Sequence, residues 1–162
     1  MATVDHSFFL LKLFAVLGCG LIAGVFFAFS TFVMSALARL QPTQGITAMQ
    51  AINITVINPL FMTVFLGTGA GCIFILVSLL FRWQRTSAIY LLVGSLLYLF
   101  GTLGVTIVFN VPLNEALALV KPDSTNGLEL WASYLRDWTF WNHIRAVAAF
   151  AASVLLAIAL SH

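Results

Sequence analysis

Charged residues are scarce in this sequence. Only 7% of its 162 residues are Asp, Glu, Lys or Arg, while 62% are hydrophobic; soluble domains have about 25% and roughly 45–50%. A water-soluble fold of this length could not bury so much apolar surface, so the surrounding solvent must be lipid. The seven basic and five acidic residues are too few and too dispersed for a nucleic-acid-binding surface. The composition predicts one integral membrane domain, with the lipid bilayer as partner and no nucleic acid.

Cysteine is also rare, with two residues in the sequence. Cys19 and Cys72 lie inside apolar runs and lack the CxxC spacing of a metal or redox motif, so we interpret both as small packing residues.

The amino terminus also lacks the pattern of a cleaved signal, because Asp5 precedes any positive charge. The apolar run after Lys12 exceeds the roughly 7–15 residues of a signal's hydrophobic region. We therefore expect this first segment to remain.

Long uncharged runs define the fold class, because a helix needs about 20 apolar residues to cross a bilayer. They predict an all-α, integral membrane four-helix bundle, a single domain over residues 1–162 with spans at about 8–38, 56–81, 87–110 and 138–160. Short extramembrane helices are expected between helices 1 and 2, from near Pro42, and between helices 3 and 4. The second connection, residues 111–137, holds most of the acids and is expected to form two short helices. Arg82–Arg85 is predicted to form a tight turn at the membrane surface, and its basic residues favour cytoplasmic termini in an inner or plasma membrane.

Small residues recur at the spacing of helix contacts. They are Gly20, Gly24 and Ala28 in the first span, Gly67 and Gly71 in the second, Gly94 and Gly101 in the third, and Ala146, Ala149 and Ser153 in the fourth. Helices in lipid associate through close backbone approach, so these positions predict contact seams. Each seam serves either the bundle or a second copy of the chain, and a homo-oligomer is therefore an expectation.

The fourth span begins with polar residues and continues with apolar ones alone. A buried Arg such as Arg145 costs at least about 2.5–3.5 kcal/mol at mid-helix and usually faces the bundle or a cavity. Asn142, Arg145 and Ala149 share one helix face. The alternative is that Arg145 and His143 reach out to lipid headgroups beside a belt of tryptophans that includes Trp138.

The second and third spans supply further polar residues. In the third, Tyr98, Thr102, Thr106 and Asn110 form a stripe at every fourth position, which should face protein rather than lipid. Pro112 disfavours the helical region at Val111 and is expected to end or kink this helix. In the second, Asn58 precedes Pro59 and either joins a pocket or covers the Thr55 carbonyl that the proline leaves unbonded.

These polar residues share one location. Under four crossings, all of them fall toward the membrane face opposite the termini: Asn53, Asn58, Asn110, Asn114, Glu115, Asn142, His143 and Arg145. Donors, acceptors and a titratable His that converge inside a bundle are typical of a small-molecule site. We therefore predict a pocket there.

Five segments of the sequence are similar to those of a known family. The segments are Gly24–Met34, Met49–Asn53, Val56–Phe61, Phe109–Asn114 with its NxPLN pattern, and Trp141–Arg145 with its WNHxR pattern. They resemble the anthrone oxygenase-like family of small four-helix membrane proteins, most of whose bacterial members are domains of unknown function, over about residues 8–160. On this resemblance the family's polar positions correspond to Asn53, Asn58, Asn110, Asn114, Trp141, Asn142, His143 and Arg145.

The resemblance implies oxidation of a lipophilic, anthrone-type phenolic substrate by dioxygen, with no organic cofactor. An anthrone forms an electron-rich, phenolate-like anion, so an enzyme needs a base, a group that stabilises the anion and a dry aromatic pocket. Histidine is the side chain that can exchange a proton near neutral pH, so His143 is the expected base, with Arg145 and Asn142 stabilising the anion. The expected substrate-binding residues are Asn53, Asn58, Asn110, Asn114, Trp141 and Glu115, with Glu115 or Asp137 also able to pair with Arg145.

Two alternatives differ in kind. The first is a haem or a single metal ion at His143, although one His beside Glu115 or Asp137 is a thin ligand set for zinc or copper. The second is a non-enzymatic accessory or structural subunit, or a binder of small lipophilic molecules. A structural subunit should have its polar groups paired with one another and no cavity. A cavity above roughly 300 Å³ lined by His143 and the asparagines would favour binding or catalysis.

Overall fold

The fold is helical throughout the described residues. The computed structural model describes residues 2–81 and 85–161, and no strand occurs among them. Four helices are long and apolar enough to cross a membrane, and we call them spans 1 to 4: His6–Leu37, Pro59–Leu79, Ser87–Ala118 and Thr125–Ile158. The predicted all-α, four-helix membrane architecture is confirmed. Residues 82–84 of the predicted Arg82–Arg85 turn lie outside the described residues.

Within residues 2–81 and 85–161, seven α-helices and three π-helical segments make up the spans and their connections. The α-helices are α1 (Ala2–Ala28), α2 (Met34–Leu37), α3 (Pro42–Thr55), α4 (Pro59–Leu79), α5 (Arg85–Leu96), α6 (Val111–Ala118) and α7 (Thr125–Ile158). The π-helical segment Phe29–Val33 joins α1 to α2 in span 1, and Leu97–Gly104 and Thr106–Asn110 lie between α5 and α6 in span 3. Spans 1 and 3 therefore both contain π-helical turns, which are frequent at functional sites.

The two ends of the bundle differ in character. At one end the Lys12 Nζ donates a hydrogen bond to the Ala159 carbonyl (3.2 Å), which brings the start of span 1 to the end of span 4. At the other end the Gln50 Nε2 donates to the carbonyls of Leu117 (2.8 Å) and Val120 (3.1 Å), which ties α3 to α6. We call the first the proximal end and the second the distal end. The predicted short helices between spans 1 and 2 and between spans 3 and 4 both lie at the distal end.

The helix of span 3 does not end at Pro112, in contrast to one of the two outcomes expected from the sequence. Val111 is helical, and its N–H bonds the Thr106 carbonyl five residues back. Pro112 occupies the first turn of α6, where the ladder changes from i→i−5 to i→i−4 bonds and a missing N–H is tolerated. The polar residues on both sides of Pro112 therefore stay on one continuous helix.

The two short helices expected between spans 3 and 4 are not separate elements. α6 continues the helix of span 3, and the second forms the opening turns of α7, which begins at Thr125. The Ser124 hydroxyl caps α7 by accepting a hydrogen bond from the Gly127 N–H (3.1 Å). Residues 125–137, expected outside the membrane, are thus continuous with the helix of span 4.

Most of the predicted glycine seams are contacts inside the bundle. A Cβ added at Gly101 would lie 2.6 Å from the Ala148 Cβ, and one at Gly94 would lie 3.0 Å from Leu156. Spans 3 and 4 therefore approach too closely there for larger side chains. Gly24 differs, because an added Cβ would meet nothing within 4 Å.

Gly101→Ala should lower the stability of the bundle. The new methyl group would overlap the Ala148 side chain, and overpacking costs about 1–3 kcal/mol. Gly24→Ala is the matched control, since its methyl group enters open space and should leave stability unchanged or slightly higher. Thermal unfolding of both variants in the same detergent, followed by circular dichroism, measures the difference. Equal midpoints would contradict the close contact between spans 3 and 4.

Candidate functional site

Arg145 is the central residue of the distal end. Its side chain is only 5% exposed, and its guanidinium carbon lies over two aromatic rings, 4.0 Å from the Phe26 centroid and 4.8 Å from that of Trp138. The Nε donates to the Asn142 Oδ1 (2.9 Å) and the Nη1 to the Thr106 Oγ1 (3.3 Å). Arg145 therefore points into the bundle and does not extend to the headgroups.

No carboxylate neutralises this buried cation within the described part of the chain. The one ion pair found there joins Arg136 to the neighbouring Asp137 (2.7 Å), whose side chains are 73% and 42% exposed. Glu115 is exposed as well, so neither predicted acid pairs with Arg145. The positive charge is held instead by neutral acceptors and by aromatic rings, whose faces attract cations. No hydrogen-bond acceptor for the Nη2 occurs among the described residues.

Asn142 fixes the position of Arg145 from one side. It is fully buried, and while its Oδ1 accepts from Arg145, its Nδ2 donates to the Phe26 carbonyl and to the Ser30 Oγ, both at 2.7 Å. Ser30 lies in the π-helical segment of span 1. One amide thus connects the guanidinium to the backbone of a neighbouring span.

A second polar cluster surrounds Tyr134. The Tyr134 hydroxyl donates to the Asn114 Oδ1 (2.8 Å), which also accepts from the Trp138 Nε1 (2.8 Å). On its other side the Asn53 Nδ2 donates to the Tyr134 oxygen (3.5 Å). Since these residues come from α3, α6 and α7, the cluster locks the distal helices together. Trp138 is buried here, so it does not belong to a tryptophan belt at the surface.

Asn110 lies beside this cluster. It is fully buried, and its Nδ2 donates to the Trp138 carbonyl (3.1 Å), while its Oδ1 has no hydrogen-bond partner among the described residues. Its side chain fastens span 3 to α7 and does not line the cavity described next.

A cavity of about 220 Å³ lies between spans 1, 2, 3 and 4 at the distal end. Its polar lining consists of Asn53, Thr106, Asn114, Arg145 and the indole of Trp138, and the remaining lining is apolar: Val25, Phe26, Phe29, Met49, Ile52, Val56, Ile57, Phe61, Met62, Phe65 and Val111. The cavity volume is below the roughly 300 Å³ above which we expected binding or catalysis, and His143 is absent from the lining. The arrangement is a small, mostly aromatic and aliphatic chamber with one fixed positive charge.

The structure brings some predicted site residues together and separates others. Asn53, Asn114 and Arg145 line the cavity, while Asn110 and Asn142 lie buried behind it. His143 is exposed and borders a separate surface groove with Arg136 and Phe140. The Trp141 ring stacks on Phe109 (3.6 Å between centroids) and is absent from the cavity lining.

Asn58 has a structural role in the described contacts. Its Oδ1 caps α4 by accepting from the Phe61 N–H (3.0 Å), and its Nδ2 donates to the Thr55 carbonyl (3.0 Å). The second bond covers the carbonyl that Pro59 leaves unbonded, as one reading of the sequence predicted. Asn58 is exposed and lies outside the cavity lining.

Sequence reasoning missed Tyr134, Phe26 and Ser30. Tyr134 lies in a segment expected outside the membrane, but it precedes Trp138 and Asn142 by four and eight residues, a spacing that places all three on one face of a helix. Phe26 and Ser30 carry no signal of their own in an apolar run. Only their contacts with Arg145 and Asn142 identify them.

The prediction about cofactors stays a prediction. Across residues 2–81 and 85–161, no three His, Cys, Asp or Glu side chains lie close enough to bind one metal ion together.

Asn142→Leu should destabilise the protein strongly. The substitution keeps the number and branching of the side-chain heavy atoms but leaves the buried Arg145 Nε without its acceptor and removes the donor to the Phe26 carbonyl and the Ser30 Oγ. Each buried unsatisfied group costs about 1–3 kcal/mol. Thr31→Val is the control, because the exposed Thr31 hydroxyl bonds only its own helix at Phe27 (2.7 Å). Chemical unfolding in detergent would compare the two variants. If Asn142→Leu lowered the free energy of unfolding no more than Thr31→Val, the role of Asn142 in holding Arg145 would be contradicted.

Comparison with known proteins agrees with this architecture. The profile of the family described as Anthrone oxygenase matches residues 61–155, more than half of the chain. The match runs from the start of span 2 through Asn110, Asn114 and Arg145. No curated protein and no solved structure matches the chain. The chain is therefore a membrane protein of the anthrone oxygenase family.

Proposed function

We propose that the protein oxidises a small lipophilic phenol of the anthrone type with dioxygen, and that the distal cavity binds this substrate. One observation carries the proposal: Arg145 is a buried cation with no acidic partner among the described residues, and it lines an apolar chamber. A buried charge is costly unless it is paired. A bound phenolate would supply the missing negative charge.

The chemistry requires stabilisation of an anion above all. Loss of a proton from the CH₂ group of an anthrone gives a phenolate-like anion, which transfers one electron to dioxygen. The resulting carbon radical and superoxide combine, a proton adds to give a hydroperoxide, and loss of water leaves the second carbonyl. One oxygen atom ends in the quinone and the other in water.

Arg145 provides this stabilisation in the proposal. Its Nη2 has no acceptor in the described part of the chain and is available to an oxyanion, and a fixed donor in a dry site lowers the energy of a developing charge. Asn142 and Thr106 act as positioning residues, because they hold the guanidinium through its Nε and Nη1. Asn53 and Asn114 border the same chamber and supply amides for the substrate carbonyl.

The proposed reaction also requires a base that removes the substrate proton. The described lining contains no carboxylate or imidazole, so we assign the substrate proton to a water molecule that enters the cavity with the substrate. His143, the base expected from the sequence, lies outside the lining and on the surface. Its part in proton transfer stays a prediction that a single variant tests.

A second candidate function is binding without turnover. The pairing of Asn53, Asn114 and Tyr134 with one another, together with a cavity below the expected size, favours a carrier or accessory subunit that holds a lipophilic phenol. Such a protein would bind the phenol and consume no dioxygen. The inner-membrane location, cytoplasmic termini and homo-oligomeric state remain predictions from the sequence.

Arg145→Met should reduce anthrone oxidation by about 10²–10³ in kcat, the usual effect of removing an oxyanion donor. Arg145→Lys keeps a charge without the fork of donors and should recover part of the rate. An oxygen electrode, with quinone formation followed by absorbance, measures turnover in detergent. Arg136→Met is the control, because it removes an exposed cation from the same helix. Full activity of a folded Arg145→Met variant would refute the proposal, and phenol binding without oxygen uptake by the wild type would favour the carrier.

His143→Ala should leave turnover and its pH dependence within about twofold of the wild type, since the ring is exposed and outside the cavity lining. The same oxygen-electrode assay across a range of pH checks this. Loss of activity in a folded variant would instead support His143 as the base.

A further inference from the structure

We infer that the distal cavity is filled sideways from the bilayer, through a lateral opening whose rim is formed by Val25, Ile57 and Val111. The inference deepens the proposed function, because it concerns the same cavity and the route of its ligand. It rests on the shape and polarity of the chamber.

The cavity has a polar inner end and an apolar outer end. Arg145 lines it and is only 5% exposed, whereas Ile57 lines it and is 71% exposed. Val25 and Val111 also line it and are also exposed. A side chain that both lines a cavity and faces the surroundings marks where the cavity opens. The three rim residues come from span 1, from the connection between α3 and α4, and from the start of α6, so the opening lies between these elements.

The surroundings of the rim identify its environment as lipid. Exposed apolar side chains flank Ile57 on both sides, namely Ile54 and Leu60. A rim that faced water would expose a contiguous apolar patch, which soluble surfaces keep small. In a membrane protein the same patch is the expected lipid-facing surface.

A stable break in the helix creates the gap. α3 ends at Thr55 and α4 begins at Pro59, and Asn58 bonds both ends, through the Thr55 carbonyl and the Phe61 N–H (3.0 Å each). Backbone groups at membrane depth must be satisfied, or the helix would re-form or the segment would leave the lipid. Asn58 thus maintains the opening, although it lies outside the cavity lining.

This geometry selects the orientation of the ligand. The oxygen must enter first to reach Arg145, and the hydrocarbon edge remains toward the rim. A chamber of about 220 Å³ is smaller than the roughly 300–1,000 Å³ of sites for drug-sized ligands, so only a compact ring system fits. Substituents on the edge opposite the oxygen can extend through the opening into lipid, whereas bulky groups beside the oxygen cannot be accommodated.

The opening is tested first without any ligand. Ile52 lines the cavity and is partly buried, so Ile52→Cys places a thiol inside it, while Cys19 and Cys72 are fully buried and the parent protein measures their background. In phosphatidylcholine vesicles, lipid-soluble N-phenylmaleimide should label this thiol at least tenfold faster than a charged sulfonated maleimide. Adding Ile57→Trp should slow the labelling about tenfold or more.

Ile54→Trp is the matched control. Ile54 is 75% exposed, lies one turn from Ile57 and is absent from the cavity lining, so a tryptophan there should change labelling less than twofold. Equal labelling by the two reagents, or equal effects of the two tryptophans, would overturn the lateral opening. The proposed oxidation could still hold in that case, with access from the aqueous side.

The ligand route is tested second, with 2-hydroxyanthraquinone as an unreactive probe. Its association from preloaded vesicles, followed by visible absorbance, should slow about tenfold in Ile57→Trp and remain unchanged in Ile54→Trp. Arg145→Met should instead weaken equilibrium binding. If the probe does not bind to the wild type while Ile57→Trp still blocks labelling, the proposed function fails and the opening stands.

Discussion

The packing of the distal half of the bundle depends on one positive charge, the Arg145 guanidinium, which is buried inside a membrane protein. An arginine at the centre of a membrane helix costs at least about 2.5–3.5 kcal/mol, and Arg145 has no carboxylate partner among the described residues. The compensation comes from an amide, a hydroxyl and two aromatic faces, supplied by Asn142, Thr106, Phe26 and Trp138. Three spans must meet at one level to provide them. The Arg145 charge therefore requires these spans to pack closely, and their packing in turn holds the guanidinium in place.

The third span is adapted to this task through its π-helical segments. An α-helix has 3.6 residues per turn, so a repeat of four drifts by about 40° at each step, and four such residues would spread around the helix. The wider π-helical turns over Leu97–Gly104 and Thr106–Asn110 reduce this drift. Tyr98, Thr102 and Asn110 are fully buried, and Thr106 is half-buried. The Thr102 hydroxyl then donates to the Arg145 carbonyl (3.3 Å), which joins span 3 to the backbone of span 4 beside the charge.

Much of this organisation could be predicted from the sequence because the membrane restricts the possible structures. Uncharged runs of sufficient length define the spans, four crossings determine which connections share a face, and the cost of polar groups in lipid predicts that they cluster. The prediction that Asn110, Asn142 and Arg145 face protein follows from these constraints, and burial confirms it. The four-residue repeat of the third span is consistent with a mixture of α-helical and π-helical turns, because their drifts have opposite signs and partly cancel.

Tertiary structure decided what each polar residue does. His143 and Asn142 are adjacent in sequence, yet a rotation of about 100° per residue places the first on the surface and the second in the core. The sequence does not show which of the two residues faces the core, because polar neighbours on one helix look equivalent until the packing of the other spans is known. The cavity is likewise a property of packing, since its lining comes from all four spans and from the segment between α3 and α4. The sequence alone thus determined a membrane bundle with its polar residues near one face, and the three-dimensional arrangement alone determined which of them enclose a space.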